Sequence, residues 1–478
     1  MPETATLPRF VTGSPMRHVI VMAGTGAIGL IAVFSVDLLN LFYISLLGQE
    51  QIAAAVGFAG TVGFFQTSLA IGMTIGVAAV VSREIGAGQR DDARRVASAS
   101  LALMVAVLAV VGIATALAVT PLLAVVGARG ATRAFAAGFL AITSLSLPLL
   151  AVGMCCSALL RSVGDARRSM NITLAGAVVT AIADPVLIFG LHLDLQGAAI
   201  STVLSRVALA WLGWRGAART HDLLGPIQPG RILRDARAVF RVAGPAILTN
   251  LATPVGGAYV TSRMAEFGSE AIAGQATTDR ITPVAFGLVF ALSGAIGPII
   301  GQNLGAGRID RIAEALRDAL MFVLATVCIA WVILFALQGG IVVAFSAHGV
   351  AASLIRLYCD VIAGSFLFTG ALFVANAAFN NLGFPLLSTA FNWGRATLGT
   401  IPFVTYGAAY GPRGVLLGVA GGSVIFGIAA VVTAFAAVNR LGARGESSPH
   451  LQVAVPAAST GSAALAAFAS RLRHDGRN

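Results

Sequence analysis

The sequence has no lysine, and charged residues make up only 11% of its 478 residues. Without lysine there is no phosphate-binding loop of the kind that energises transport ATPases, because that loop needs a lysine to reach the phosphates. The low charge excludes an ordinary soluble domain, in which about 25% of residues are charged. Hydrophobic residues make up 57% of the chain and the mean hydropathy is +0.88, so we expect a lipid bilayer as its solvent.

Cysteine is also scarce, and the motifs of common enzymes are missing. Neither HExxH nor GxSxG occurs, so no catalytic set is visible and we do not expect an enzyme. The four cysteines lie in apolar stretches without the spacing of a metal site, so we expect no disulfide framework, no metal and no cofactor. Any transport must then be driven by an ion gradient or run downhill. The cysteines are Cys155, Cys156, Cys328 and Cys359.

Apolar stretches of about 20 residues are the main feature of the chain, and each is long enough to cross a bilayer as a helix. They predict two sets of six transmembrane helices. The first six, helices 1 to 6, are predicted at 17–46, 52–81, 97–121, 131–160, 169–191 and 196–218, and the next six, helices 7 to 12, at 238–265, 272–300, 312–338, 351–380, 387–409 and 414–438.

Three short segments of the first half return in the second half, in the same order and about 220 residues later. A same-direction repeat in an apolar chain is typical of transporters built from two parallel halves. The fold class predicted is an all-α polytopic membrane protein with twelve transmembrane helices in two parallel-repeat six-helix bundles. The paired segments are 48–53 with 268–273, 85–88 with 304–307, and 161–169 with 380–388.

These repeats and the distribution of polar residues also predict the organisation of the chain, with function between the two halves. The tail after 441 is rich in Ser, Ala and Pro, and we expect it to be disordered. The expected parts are a cytoplasmic N-terminal tail at 1–16, an N-lobe at 17–218, a cytoplasmic linker at 219–237, a C-lobe at 238–440 and a cytoplasmic C-terminal tail at 441–478.

Arginines are concentrated in the loops that follow helices 2, 4, 6, 8 and 12, whereas the opposite loops have few. By the positive-inside rule both termini are expected in the cytoplasm, and we expect a bacterial cytoplasmic (inner) membrane. A net charge of +11 could suggest nucleic acid. Because the arginines are spread along one membrane face without aromatic residues between them, contact with anionic lipid is the better interpretation.

Two carboxylates fall inside predicted spans, where an ionisable group is costly and usually has a task. Asp37 lies about eleven residues before the turn at Gly48, and Asp184 about eight residues before His192. At about 1.5 Å per residue the two acids reach similar depth in the N-lobe. Burial favours the neutral form of a carboxylate, which suits it to bind and release a proton. The alternative is that each acid is only hydrogen-bonded within helix packing.

Pro185 follows Asp184 directly and removes one helical hydrogen bond. The bend that it predicts could change angle beside a proton site, or it could be a static kink.

Several motifs, in order along 16–440, resemble landmarks of the multidrug and toxic compound extrusion (MATE) family. They are Asp184-Pro185-Val-Leu-Ile-Phe189-Gly190 with Gly197-Ala-Ala, Gln302-Asn303-Leu-Gly305-Ala-Gly307, Ala276-Thr-Thr-Asp-Arg280-Ile281, Trp393-Gly-Arg395 with Ile401-Pro402, and Arg161-Ser-Val-Gly164-Asp165.

The resemblance implies a secondary active multidrug efflux antiporter. Two six-helix bundles would surround a central cavity that opens alternately to each side, and H+ or Na+ would be exchanged for amphipathic, often cationic compounds. Prokaryotic members of the family commonly use an acid on helix 1 and an Asn-to-Asp pair on helix 5. Here Asn40 stands at the position of the helix 1 acid, Asp37 lies one turn earlier, and Thr180 replaces the Asn of the pair.

Helix 7 also departs from the family, because Thr253 stands where some branches carry a glutamate. The ion site is therefore expected in the N-lobe, at Asp37, Asn40, Thr180 and Asp184. Two carboxylates with hydroxyl and amide oxygens could bind Na+ as well as H+, and the coupling ion stays open.

Other intramembrane charges are candidates for gating or substrate contact. Asp279 with Arg280, and Arg356 with Asp360, are expected to form internal ion pairs, which are usually structural. Arg395 has no carboxylate nearby in sequence, so it could pair across helices or bind an anionic substrate group.

The runner-up function is a flippase for lipid-linked sugars or other lipids, which would be expected to have a strongly basic cavity. A passive channel or a scaffold is disfavoured by the intramembrane acids. We expect a monomer that contacts lipid and amphipathic small molecules, and the sequence does not name the substrate.

Overall fold

Helices form nearly all of the protein in the computed structural model, which describes residues 8–46 and 50–444. The predicted turn at Gly48 and the tail from residue 445 onward lie outside the described residues. The helices fall into twelve segments, one for each predicted span, and the prediction of twelve is confirmed.

The first six segments have the following bounds. Helix 1 is Pro15–Leu46, helix 2 is Glu50–Gly86, helix 3 is Arg90–Leu117 with Val119–Val125, helix 4 is Gly130–Leu145 with Leu147–Ser162, helix 5 is Ala166–Pro185 with the π-helical turn Val186–Gly190, and helix 6 is Asp194–Trp214 with the π-helical turn Arg215–Thr220.

The second six follow the same order. Helix 7 is Pro229–Ala265, helix 8 is Ser269–Ala285 with Gly287–Gly305, helix 9 is Ile309–Ala344, helix 10 is Gly349–Leu357 and Ala363–Leu382 joined by the π-helical turn Tyr358–Ile362, helix 11 is Pro385–Gly394 and Ile401–Ala408 joined by the π-helical turn Arg395–Gly399, and helix 12 is Pro412–Arg444.

Ten of these segments contain a helix that is apolar and long enough to cross a membrane by itself, and helix 4 is an eleventh if its two parts count as one span. These two parts meet at an angle of 48°. Arg206 of helix 6 stabilises this break, because its guanidinium donates to the Thr143 carbonyl and to Ser146 Oγ at 2.7 Å. Polar groups freed by a helix break within a membrane need such partners. Helix 11 is the remaining segment and consists of shorter pieces.

The two lobes meet through helices 1 and 2 of the first half and helices 8 and 7 of the second. Helices 2 and 7 are so close that a Cβ added at Gly76 would lie 2.8 Å from the Val239 carbonyl oxygen. Helices 2 and 8 cross at Gly86, where an added Cβ would lie 2.6 Å from Gln302 Cα. Toward the other end of helix 2 a Cβ at Gly57 meets no atom within 4 Å. The tight contact therefore lies at the arginine-rich end, where helices 2 and 8 end.

The first turns of helix 1 pack against the second lobe. Val19, Met22 and Ala23 belong to the same buried core as residues of helices 8, 9, 10 and 12. Further along, helix 1 packs against helix 5 of the first lobe. Helix 1 thus contacts both halves of the molecule.

The connection between the halves is shorter than the expected linker at 219–237, because helix 7 begins at Pro229. Residues 221–228 form hydrogen bonds and a salt bridge with the first lobe. Arg94 forms a salt bridge of 2.8 Å with Asp222, and Gly225 N donates to Ser98 Oγ at 2.9 Å. His221 Nε2 lies 2.7 Å from Asp165 Oδ2.

The crossing of helices 2 and 8 can be tested at Gly86. Gly86→Ala places a methyl group against the Gln302 backbone and should destabilise the protein by about 1–3 kcal/mol, the usual cost of overpacking. The measurement is the melting temperature of purified protein in detergent, with Gly57→Ala on the same helix as the control. Equal melting temperatures for the two variants would contradict this packing.

The Asp165 carboxylate, outside the spans, predicts a pH dependence of stability. Burial raises its pKa, but hydrogen bonds from His221 and Arg168 outweigh burial and hold the pKa below its usual value. A lowered pKa stabilises the fold above the unfolded-state value of about 4, and this stabilisation is lost as the pH falls through the folded-state pKa. Asp165→Asn, which keeps a helix-capping oxygen, should lower the melting temperature at pH 7. The difference from the unmodified protein should shrink toward pH 3, and a difference independent of pH would refute the assignment.

Candidate functional site

Asp184 is the fully buried carboxylate of the first lobe, with 0% of its surface exposed. Asn40 Nδ2 of helix 1 donates a hydrogen bond of 2.9 Å to Asp184 Oδ2 of helix 5. Hydrogen bonds to charged groups are about twice as strong as neutral ones, so this contact ties helix 1 to helix 5 firmly. The other oxygen, Asp184 Oδ1, is buried and has no hydrogen-bond partner in the described chain.

Helix 5 changes its winding next to this acid. Pro185 ends the α-helical part, and Val186–Gly190 form a π-helical turn closed by Leu191 N donating to the Val186 carbonyl at 2.9 Å. Gly197 of helix 6 permits the close approach of this turn, because a Cβ there would lie 2.8 Å from the Leu187 carbonyl carbon. Single π-helical turns within α-helices are frequent at functional sites.

Asp37 lies one turn before Asn40 on the same face of helix 1. Because Asn40 bonds Asp184, Asp37 lies one helical turn from the contact with Asp184. Asp37 is exposed, whereas Asp184 is buried. The two acids of the first lobe therefore form a pair with one accessible member and one enclosed member.

Thr180 is not brought into this cluster by a hydrogen bond, because its hydroxyl donates to the Gly176 carbonyl of its own helix at 3.1 Å. Ser201 of helix 6 was missed by the sequence reasoning. It is 0% exposed, and its hydroxyl lies near enough to stabilise the Asp184 carboxylate, although the two form no hydrogen bond of regular geometry. A serine in a membrane helix carries no signal of its own, which is why sequence could not single it out.

The expected ion pairs of the second lobe do not form. Asp360 accepts from Gln338 Nε2 at 2.8 Å instead of pairing with Arg356. Asp279 and Arg280 are adjacent, so their side chains point about 100° apart on the helix. The π-helical turn Tyr358–Ile362 alters the spacing between Arg356 and Asp360. Within 8–46 and 50–444 there is no salt bridge to Arg280, Arg356 or Arg395.

Arg395 lies in the π-helical turn of helix 11, and its buried Nε has no hydrogen-bond partner among the described residues. Arg280 lines an apolar groove of about 510 Å³ between helices 8 and 9, with Leu38 of helix 1 at its edge. Ile329 and Ile333 of helix 9 are exposed in this groove. The second lobe thus carries intramembrane arginines without carboxylate partners, whereas the first lobe carries the pair of acids.

Comparison with known proteins identifies relatives over most of the chain. A FAD transporter of Shewanella oneidensis is 28% identical over 87% of this chain and 94% of its own length. The multidrug export protein MepA of Staphylococcus saprophyticus is 26% identical over 70% of this chain and 76% of its own length.

Solved structures share the fold. A variant of the MATE transporter VcmN of Vibrio cholerae superposes with a TM-score of 0.84 at 24% identity, covering 90% of this chain and 98% of VcmN. An outward-facing multidrug resistance MATE family transporter superposes with a TM-score of 0.86 at 21% identity, covering 92% and 99%. These likenesses confirm the expected fold class.

The sequence model of the MatE family matches the chain twice, at residues 27–186 and 245–405. Each match lies in one half, in agreement with the repeat read from the sequence. The chain therefore belongs to the MatE (MATE) family of multi-pass membrane transporters and is not an enzyme.

Proposed function

We propose that this protein is a secondary active exporter that exchanges H+ for amphipathic small molecules, with the ion bound in the N-lobe at Asp37 and Asp184. The observation that carries the proposal is the buried Asp184 carboxylate, bonded to Asn40 one helical turn from Asp37. Two ionised carboxylates near each other in an apolar environment repel each other unless a cation neutralises them. Binding and release of that cation can therefore alter how helices 1 and 5 pack.

A proton is favoured over Na+ as the coupling ion. Sodium needs several oxygen ligands, by analogy with other hard cations. Around Asp184, Asn40 offers its NH2 group rather than its oxygen, and the Thr180 hydroxyl is bonded to Gly176. The oxygens left for a metal ion are those of the two carboxylates and Ser201. Na+ is the second candidate and is tested beside H+.

Alternating access of the two lobes is the proposed mechanism. The lobes are in tight contact at the arginine-rich end, while Gly57 and the exposed Phe64 and Phe65 of helix 2 face open space toward the other end. This arrangement supports a state open to the outside. The proposal keeps the expectations from the sequence that both termini are cytoplasmic and that the protein is a monomer in the bacterial inner membrane. Helix 1 contacts both lobes, so its movement at Asn40 would reach the interface.

The substrates proposed are amphipathic compounds that enter between an acidic first lobe and a second lobe with unpaired arginines. Arg280 and Arg395 could contact an anionic group, and Asp37 a cationic one. Among the relatives, one is named as a transporter of FAD, which carries anionic phosphate groups, and another as a multidrug export protein.

Lipid flipping is a second candidate because of the groove beside Arg280. The groove is apolar, lies between helices 8 and 9, and is lined by Arg280, which has no salt bridge within 8–46 and 50–444. An anionic lipid would fit that combination. Flipping would not require a pH gradient, which separates it from antiport.

The direct test uses purified protein in liposomes with a pH gradient or a Na+ gradient imposed separately. Ethidium and FAD serve as cationic and anionic probes, and a fluorescent anionic lipid reports flipping. Transport of at least one soluble probe should follow the pH gradient. Asp184→Asn and Asp37→Asn should each reduce gradient-driven transport at least about 100-fold, because the site loses the charge that binds the ion.

Asp360→Asn is the matched control for these variants, since Asp360 is an acid within the second lobe that bonds Gln338. It should retain transport. Full activity of the Asp37→Asn, Asp184→Asn double variant would refute the proposed ion site. Transport driven only by the Na+ gradient would show that the coupling ion is Na+ instead of H+. Flipping of the lipid without a gradient, and without transport of either soluble probe, would favour lipid flipping as the function.

Ser201 provides a finer test of the site. Ser201→Ala removes a buried hydroxyl beside the Asp184 carboxylate, and a polar group there favours the charged form of the acid. Transport should fall about tenfold and its pH profile should move, while the melting temperature stays within a few degrees. The control is Ser423→Ala, because Ser423 is buried and bonds the Val419 carbonyl of its own helix. An unchanged pH profile in Ser201→Ala would exclude a role for Ser201 at the acid.

A further inference from the structure

Residues 8–14, which we call the strap, precede helix 1 and lie across the arginine-rich end of the molecule. The strap contacts the first lobe through Arg9, whose Nη1 donates to the Gly164 carbonyl at 2.7 Å. Gly164 belongs to the turn between helices 4 and 5 and has a φ of +85°. A Cβ there would lie 2.6 Å from Arg9 Cδ, so a glycine is needed for the strap to sit against this turn.

The strap contacts the second lobe through the backbone of Phe10. Phe10 N donates to Gln302 Oε1 at 2.9 Å, and Asn303 Nδ2 donates to the Phe10 carbonyl at 3.1 Å. Arg311 Nη2 donates to the Gly13 carbonyl at 2.7 Å and to the Phe10 carbonyl at 3.3 Å. Both peptide groups of Phe10 are therefore held by side chains at the end of helix 8 and the start of helix 9.

The contacts of Phe10 with Gln302 and Asn303 are buried, so they cannot be exchanged for water without opening the interface. Phe10 is 1% exposed, and Gln302 and Asn303 are each 0% exposed. Gln302 also reaches the first lobe directly, since its Nε2 donates to the Ser162 carbonyl at 2.6 Å. Separating the lobes at this end would therefore break these contacts together.

We propose that the strap is a latch that keeps the lobes together at the arginine-rich end. It must dissociate from its contacts with both lobes before that end can open. It is continuous with helix 1, and His18 holds the two in register through a 2.7 Å contact between its Nε2 and the Thr12 carbonyl. The Phe10 and His18 rings also meet edge to face with centroids 5.2 Å apart. Because helix 1 carries Asn40 and Asp37, the latch lies on the element that reaches the ion site. This inference rests on the proposed alternating access.

The latch is tested by distance measurements between spin labels in purified full-length protein in nanodiscs. Labels at Arg167→Cys and Arg308→Cys report the separation of the lobes at this end, since both positions are exposed. The background carries Cys328→Ser, because Cys328 is the exposed one of the four free cysteines and the other three are buried. Deletion of residues 2–11 should increase the population with a long distance about tenfold.

Deletion of residues 2–7 is the matched control, because it shortens the chain but leaves the strap intact, and it should leave the distances unchanged. Phe10→Ala removes the buried ring while keeping the backbone, and it should shift the population in the same direction if the longer deletion does not fold. Unchanged distances in both the 2–11 deletion and Phe10→Ala would overturn the latch. A shift in distances without gradient-driven transport would leave the latch standing and reject the proposed function instead.

Discussion

The rest of the structure depends on the cost of placing a carboxylate inside a bundle of membrane helices. Asp184 is fully buried, and one of its oxygens has a partner on another helix while the other has none. An acid in this position is stable only with a donor or a cation beside it. Asn40 supplies the donor, and this contact requires helix 1 to lie against helix 5 at that depth. The buried acid thus constrains how these two helices pack.

Helix 1 extends the effect of that charge to the second lobe. Its first turns are part of the core around helices 8 and 9, and its later turns hold Asn40 and Asp37 near Asp184. A change in the hydrogen-bond partners of Asp184 that shifts helix 1 would therefore also alter the contact between the lobes. The glycines at the crossings of helix 2 with helices 7 and 8 allow backbone contact there, so small shifts cannot be absorbed by side chains.

Much of the fold could be predicted from sequence because the bilayer dictates the length of each apolar run. The two matches of the family model also agree with the repeat that the short echoes indicated. The breaks could not be predicted. The bend at Ser146 depends on Arg206 of another helix, and the π-helical turn at Tyr358–Ile362 moves Arg356 and Asp360 out of the spacing that an ideal helix would give. The expected pair of Arg356 with Asp360 was wrong for this reason, and the pair of Asp279 with Arg280 was wrong because adjacent side chains point apart on a helix.

Of the candidate site, the sequence predicts the acidic residues but not the contacts around them. Asp37 and Asp184 stand out as charges in hydrocarbon, and Asn40 follows from the resemblance to the family, whose helix 1 acid stands at that position. The position of Ser201 beside Asp184 depends on how helices 5 and 6 pack, and no local sequence pattern encodes that packing. The hydrogen bond from the Thr180 hydroxyl to the Gly176 carbonyl was not predicted either.

The central claim is that the acid pair holds an ion in competition with substrate. Calorimetric titration of substrate into the purified transporter, repeated in buffers of different ionisation enthalpy, counts the protons released on binding. The account predicts release of about one proton by the unmodified protein and none by Asp184→Asn. Substrate binding without proton release in the unmodified protein, at any pH between 5 and 8, would contradict it.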